Sequence, residues 1–66
     1  MQLTIYINGQ TFKSKAGNEM TAEKAKDVFY AQFEKMNKLE METEDGGFLI
    51  IGEQALHNAV LVFSES

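Results

Sequence analysis

An α+β domain of ββαβββ order, with one helix packed across a mainly antiparallel sheet, is predicted by three features of this 66-residue sequence. The first is an N-terminal stretch of period-two alternation interrupted by Asn8-Gly9. The second is one run of helical periodicity that starts at Ala22. The third is a pair of apolar runs, 48–51 and 59–63, of strand length rather than helix length. A chain this short makes one domain, 1–66, with a single core.

Within 2–8, Leu3, Ile5 and Ile7 alternate with Gln2, Thr4 and Tyr6, the pattern of a half-buried strand. Asn8-Gly9 supplies the two positive-φ residues of a type I′ turn. A two-residue turn sets Ile7 opposite Gln10, Ile5 opposite Phe12 and Thr4 opposite Lys13. Phe12 then faces inward, while Tyr6, Thr11, Lys13 and Lys15 face outward. This first hairpin covers 2–15.

Residues 16–20 break both periods and are expected to loop, turning at Gly17-Asn18. Thr21 is the expected N-cap, and Glu23 stands near the positive end of the helix dipole. Ala22, Ala25, Phe29, Phe33 and Met36 recur at spacings of three and four, which places them in one stripe. Glu23, Asp27, Glu34 and Lys38 take the opposite face, the last two as an i,i+4 pair. Asn37 suits a left-handed helix end, so the helix stops near Met36 and the chain passes directly into the next strand.

Residues 39–51 read as an acidic strand, a turn and an apolar strand. Leu39, Met41 and Thr43 alternate with Glu40, Glu42 and Glu44, so the three glutamates are expected on one face. The turn lies in Asp45-Gly46-Gly47. Its length decides whether Phe48 and Ile50 or Leu49 and Ile51 face the helix. Gly52 ends that strand, 53–58 is a helical turn or a loop, 59–63 is the final strand, and Ser64-Glu65-Ser66 a frayed tail.

The charge is divided along the chain. Residues 1–38 hold six lysines against four acids, net +2. Residues 39–66 hold six acids and no Lys or Arg, net −6. This asymmetry favours a basic protein as partner over direct binding to nucleic acid. Glutamates two apart on a strand are spaced about 6.6–6.8 Å, close to two phosphate steps of B-DNA, so the row can imitate a phosphate track. A solvated strand face that discourages edge-to-edge aggregation accounts for the same pattern.

The runs 48–51 and 59–63 lack alternation, and strands of that kind are ordinarily covered on both faces. One helix covers one face. The second is left to another copy, to a target protein, or to the 16–20 and 53–58 segments. His57 stands without a nucleophile or a motif, and the acids lack the spacing of a calcium loop. No enzyme, cofactor or metal is expected. Lys13, Lys15 and Tyr6 form at most a small basic and aromatic patch.

The expected function is therefore that of a small acidic interaction module, a stoichiometric inhibitor that masks a basic site on a larger protein, nucleic-acid-binding proteins being one such class. By analogy, such proteins are common among phage-encoded inhibitors of host nucleases and defence systems such as CRISPR. Partner-binding residues are expected at Glu40, Glu42, Glu44 and Asp45, with Tyr6, Tyr30 and Phe48 as aromatic anchors. The alternative is a homodimeric assembly subunit joined through an apolar sheet face. With no cysteine, no bilayer-length apolar run and no secretory signal, the chain is expected to be cytoplasmic without membrane partners, and its start at Met1 and stop soon after the last strand lead to the expectation of a complete reading frame.

Overall fold

The computed structural model describes residues 1–17 and 20–65. Its order is β1 (Gln2–Ile7), β2 (Gln10–Lys13), α1 (Ala22–Met36), β3 (Lys38–Glu42), β4 (Phe48–Gly52), α2 (Glu53–Leu56) and β5 (Val60–Ser64). This is the expected α+β fold, one main helix on antiparallel strands. The strands form a three-stranded sheet, β2-β1-β5, and a two-stranded sheet, β3-β4. A single antiparallel bridge between Ser14 and Thr43 joins the two.

Asn8 and Gly9 take φ of 50° and 78°, and the register they impose is the expected one, with Ile5 opposite Phe12 and Thr4 opposite Lys13. The strand leaves β1 at Ser14. There the buried hydroxyl accepts from the Leu3 N–H at 2.8 Å, in place of a ladder carbonyl, while the Ser14 carbonyl accepts from Gln2 Nε2 at 3.0 Å. The chain beyond is free to cross to β3, and Lys15 N–H donates to the Glu42 carbonyl at 3.0 Å. β2 itself thus ends at Lys13 rather than at 15.

Thr21 caps α1, its hydroxyl accepting from Lys24 N–H, and Asn37 ends the helix at φ 56°. Ala25 is buried, and Phe29 packs on Phe63 of β5 with ring centroids 5.4 Å apart. Two details of the expected helix change. Met36, in the last turn, is 41% exposed, so the stripe against the sheet effectively ends at Phe33. Lys38 is not on the helix, because the left-handed residue at 37 turns the chain into β3; its ammonium lies 3.7 Å from Glu40 and not beside Glu34.

Leu3, Ile5, Leu39, Met41 and Ile51 form the buried cluster, flanked by Phe12, Phe29, Leu49, Leu56, Leu61 and Phe63. Of the helical turn or loop expected at 53–58, the structure has the helical turn, α2, which follows its N-cap Gly52 and brings Leu56 to that cluster. The last strand is shifted one residue, to Val60–Ser64, because Ala59 N–H donates to Leu56 and closes the α2 turn. Ser64 is accordingly not frayed: it pairs with Gln2. The Glu65 carboxylate accepts from the Ala22 N–H in the first turn of α1. Asn18 of the expected Gly17-Asn18 turn lies outside the described residues, as does Ser66.

Candidate protein-binding face

The β3-β4 turn decides what shares the glutamates' face. Thr43 N–H donates to Gly47 O at 2.8 Å, and Gly46 N–H donates back to Thr43 O with Gly46 at φ 92°. The loop thus has three residues, closed by a left-handed glycine. It sets Glu42 opposite Phe48 and Glu40 opposite Ile50. Leu49 and Ile51 turn toward the helix. Phe48 and Ile50 turn outward, 79% and 62% exposed.

The Thr43–Gly47 bond also settles the ladder's alternation. Met41–Leu49 and Leu39–Ile51 exchange backbone bonds, so Glu40–Ile50 and Glu42–Phe48 are the closer, non-hydrogen-bonded pairs, with Cα atoms about 4.5 Å apart. Each carboxylate stem is therefore held beside an apolar side chain. Glu40, Met41, Glu42, Phe48 and Ile50 line an open depression of about 310 Å³.

The acids are not alone on this surface. The Ser14–Thr43 bridge places Lys15 opposite Glu42 and Lys13 opposite Glu44. Lys15 Nζ is 3.7 Å from Glu42 Oε2, and Lys38 Nζ is 3.7 Å from Glu40 Oε1. Both pairs are solvent-exposed, so each contributes about 0–1 kcal/mol to stability. Their larger effect is on the field. The charge division along the sequence is not a division in space here, because basic and acidic strand segments meet at β2 and β3.

Of the other expected contacts, Tyr6 lies outward on β1, opposite Thr11 and Val60. Tyr30 belongs to the helix layer, where it lines a cleft of about 400 Å³ with Lys26, Phe29, Phe33, Leu56 and Phe63. It does not share the acids' face. Glu44 and Asp45 stand in the turn at the end of β3. Ile50 is the residue that the sequence reading missed. Its signal was present: parity ties it to Phe48, and only the turn length was missing.

The chain matches no family model, no curated protein and no solved structure. What the site can do rests on its own geometry. Among the described residues, no group of three or more His, Cys, Asp or Glu side chains could hold a metal ion. His57 is exposed, and its backbone N–H closes α2. No helix among them is long and apolar enough to cross a membrane.

Asp45 serves the turn. Its carboxylate is held below the ordinary value of 3.8, first by the Thr43 hydroxyl and then by the Gly47 N–H. A lowered folded-state pKa means stability that is present above pH 3.8 and is lost as pH falls through the folded value. The urea midpoint of the wild type should therefore exceed that of Asp45→Asn near neutrality, and the gap should close on acidification below 3.8. A gap independent of pH would show that ionisation of Asp45 contributes nothing to the turn.

Proposed function

We propose that this chain is a small protein-interaction module that binds a basic partner through the outer face of β3-β4, acting as a stoichiometric inhibitor that masks the partner's site. The observation that carries this reading is the exposure of Phe48 and Ile50 on β4, directly opposite Glu42 and Glu40 of β3. Burying two such side chains contributes roughly 1.5–3 kcal/mol each, more than exposed carboxylates alone supply. Phe48 and Ile50 are thus the apolar part of the face, and the glutamates of β3 border it along one side. Interleaved lysines weaken the imitation of a phosphate track, so the partner is recognised chiefly by apolar contact with basic groups around it. The net charge of −4 still steers a basic protein toward the chain.

Affinity capture of the wild type, compared with Phe48→Ser/Ile50→Ser and with Glu40→Lys/Glu42→Lys, tests this reading. The apolar pair of substitutions should remove the captured partner, and the charge reversal should reduce it, while both variants keep the wild-type circular dichroism spectrum. Equal capture by all three proteins would sink the proposal. A second reading, self-association, is favoured by different residues: β5 ends its sheet with Val60 and Val62 exposed and no charged side chain from Val60 to Ser64.

A further inference from the structure

We infer that the free edge of β5 is a self-pairing edge, at which two copies of this chain join antiparallel about a two-fold axis through Val62. This deepens the self-association reading and does not depend on a foreign partner at β3-β4. The backbone limits the register to pairings of edge-facing residues, and the two-fold through Val62, the middle residue of β5, overlaps the two strands most fully. Ser14 N–H donates to Leu3 O, so Leu3, and by alternation Ile5 and Ile7, turn their backbone groups toward β2. Gln2, Thr4 and Tyr6 consequently bond to Ser64, Val62 and Val60. Leu61 and Phe63 are left with N–H and C=O groups along an edge that no strand among the described residues pairs.

Leu61 and Phe63 are two residues apart, which makes the edge complementary to itself. Rotation about Val62 brings Leu61 against Phe63 of the second copy, and Phe63 against its Leu61, each pair able to exchange both bonds. The outer faces then meet at Val62 against Val62, extending the exposed strip formed by Tyr6, Val60 and Val62. The two sheets become one, β2-β1-β5 continued by the same strands in reverse.

The edge's self-matching pairs suit a second copy, and charge makes this edge the place where one is tolerated. Each chain carries −4, so self-association is disfavoured wherever carboxylates oppose one another. In the register about Val62, Val60 faces Ser64 and Ala59 faces Glu65, and no like charges meet. The β4 edge differs, because Glu40 and Glu42 stand one strand in from it, about 4.8 Å away. β5 also lacks the usual guards of an edge strand: it has no lysine, no proline and an unbroken register with β1.

The chain has no cysteine, so single cysteines can report the register. In the inferred dimer the Val62 pair is non-hydrogen-bonded, with Cα atoms about 4.5 Å apart, within reach of a disulfide. The two Val60 residues are about 14 Å apart along the strands. On mild oxidation Val62→Cys should give a covalent dimer, and Val60→Cys should not. Wild-type protein should sediment as a dimer, and Val62→Lys should raise its dissociation constant about 100-fold or more. A wild type that sediments as a monomer at high micromolar concentration would overturn the inference, as would equal cross-linking of Val60→Cys and Val62→Cys. So would a dimer that Val62→Lys leaves intact. Because Val62 lies outside the β3-β4 face, Val62→Lys should leave capture of a foreign partner unchanged, which separates failure here from failure there.

Discussion

Leu3→Ala should cost the protein at least a fifth of its stability and lower its melting temperature by about 8–40 °C. Leu3 has no solvent exposure and sits on the central strand of the β2-β1-β5 sheet, among Ile5, Leu39, Met41 and Ile51. Truncating a buried leucine to alanine costs about 2–5 kcal/mol, depending on how far the cavity collapses. At roughly 0.05–0.15 kcal/mol per residue, a domain of this size has only about 3–10 kcal/mol in total. The substitution thus removes between a fifth and all of the stability. Because 1 kcal/mol shifts the melting temperature of so small a domain by about 4–8 °C, the expected drop is about 8–40 °C. Thermal denaturation followed by circular dichroism, with the exposed Val60→Ala as comparison, measures it. A drop no larger than that of Val60→Ala would mean that the core is centred elsewhere.

The parts of this fold that were legible in the sequence are those set by neighbours along the chain. Asn8-Gly9 determines the β1-β2 register because both residues must take positive φ, and nothing distant alters that. Thr21 and Asn37 bound α1 through contacts within one helical turn. Asn37 even carried the correction to the Glu34–Lys38 pair, since a left-handed residue between the two prevents them from sharing one helix. The β3-β4 parity was not legible, because the choice among 45–47 depends on Gly46 taking the positive φ while Thr43 and Asp45 hold Gly47. The meeting of lysines and glutamates was still less so. It follows from the Ser14–Thr43 bridge, a contact spanning the whole of α1, and it rests on a serine hydroxyl standing in for a ladder acceptor. A faint sign existed in the matched period of Lys13-Lys15 and Glu42-Glu44, which only a β2-β3 neighbourhood could bring into register.

That bridge alters what the acidic strand can be. A strand bearing Glu40 and Glu42 alone would present an unbroken negative track. With Lys15 and Lys38 each 3.7 Å from a carboxylate, the local field is mixed, and the exposed groups that distinguish this surface from any other charged strand are Phe48 and Ile50. The two apolar strands of the sequence also part company. β4 carries its exposed side chains beside acids, and β5 carries them beside Tyr6, Thr4 and Gln2, which are uncharged. That difference is why a basic partner is proposed for the first surface and a copy of the same chain for the second.

Phe48→Ala should weaken a captured complex by about 30- to 1000-fold while leaving the isolated protein as stable as the wild type. The two halves of this expectation have different sources. Phe48 is 79% exposed, so its removal takes little apolar area out of the folded monomer, and exposed positions usually change stability by no more than about 0.5 kcal/mol. In a complex, an aromatic anchor that becomes fully desolvated is worth about 2–4 kcal/mol, which sets the fold-change. The loss should fall on the dissociation rate and persist at high salt, because apolar burial is not screened. Glu40→Gln/Glu42→Gln should instead slow association, and its effect should fade as salt is raised, since a rim charge acts on the encounter over about a Debye length. Surface plasmon resonance on the captured partner at two ionic strengths resolves both rates. If the glutamates governed dissociation and Phe48 had no effect, the face would be an electrostatic one after all, and the outward turn of Phe48 and Ile50 would be incidental to binding.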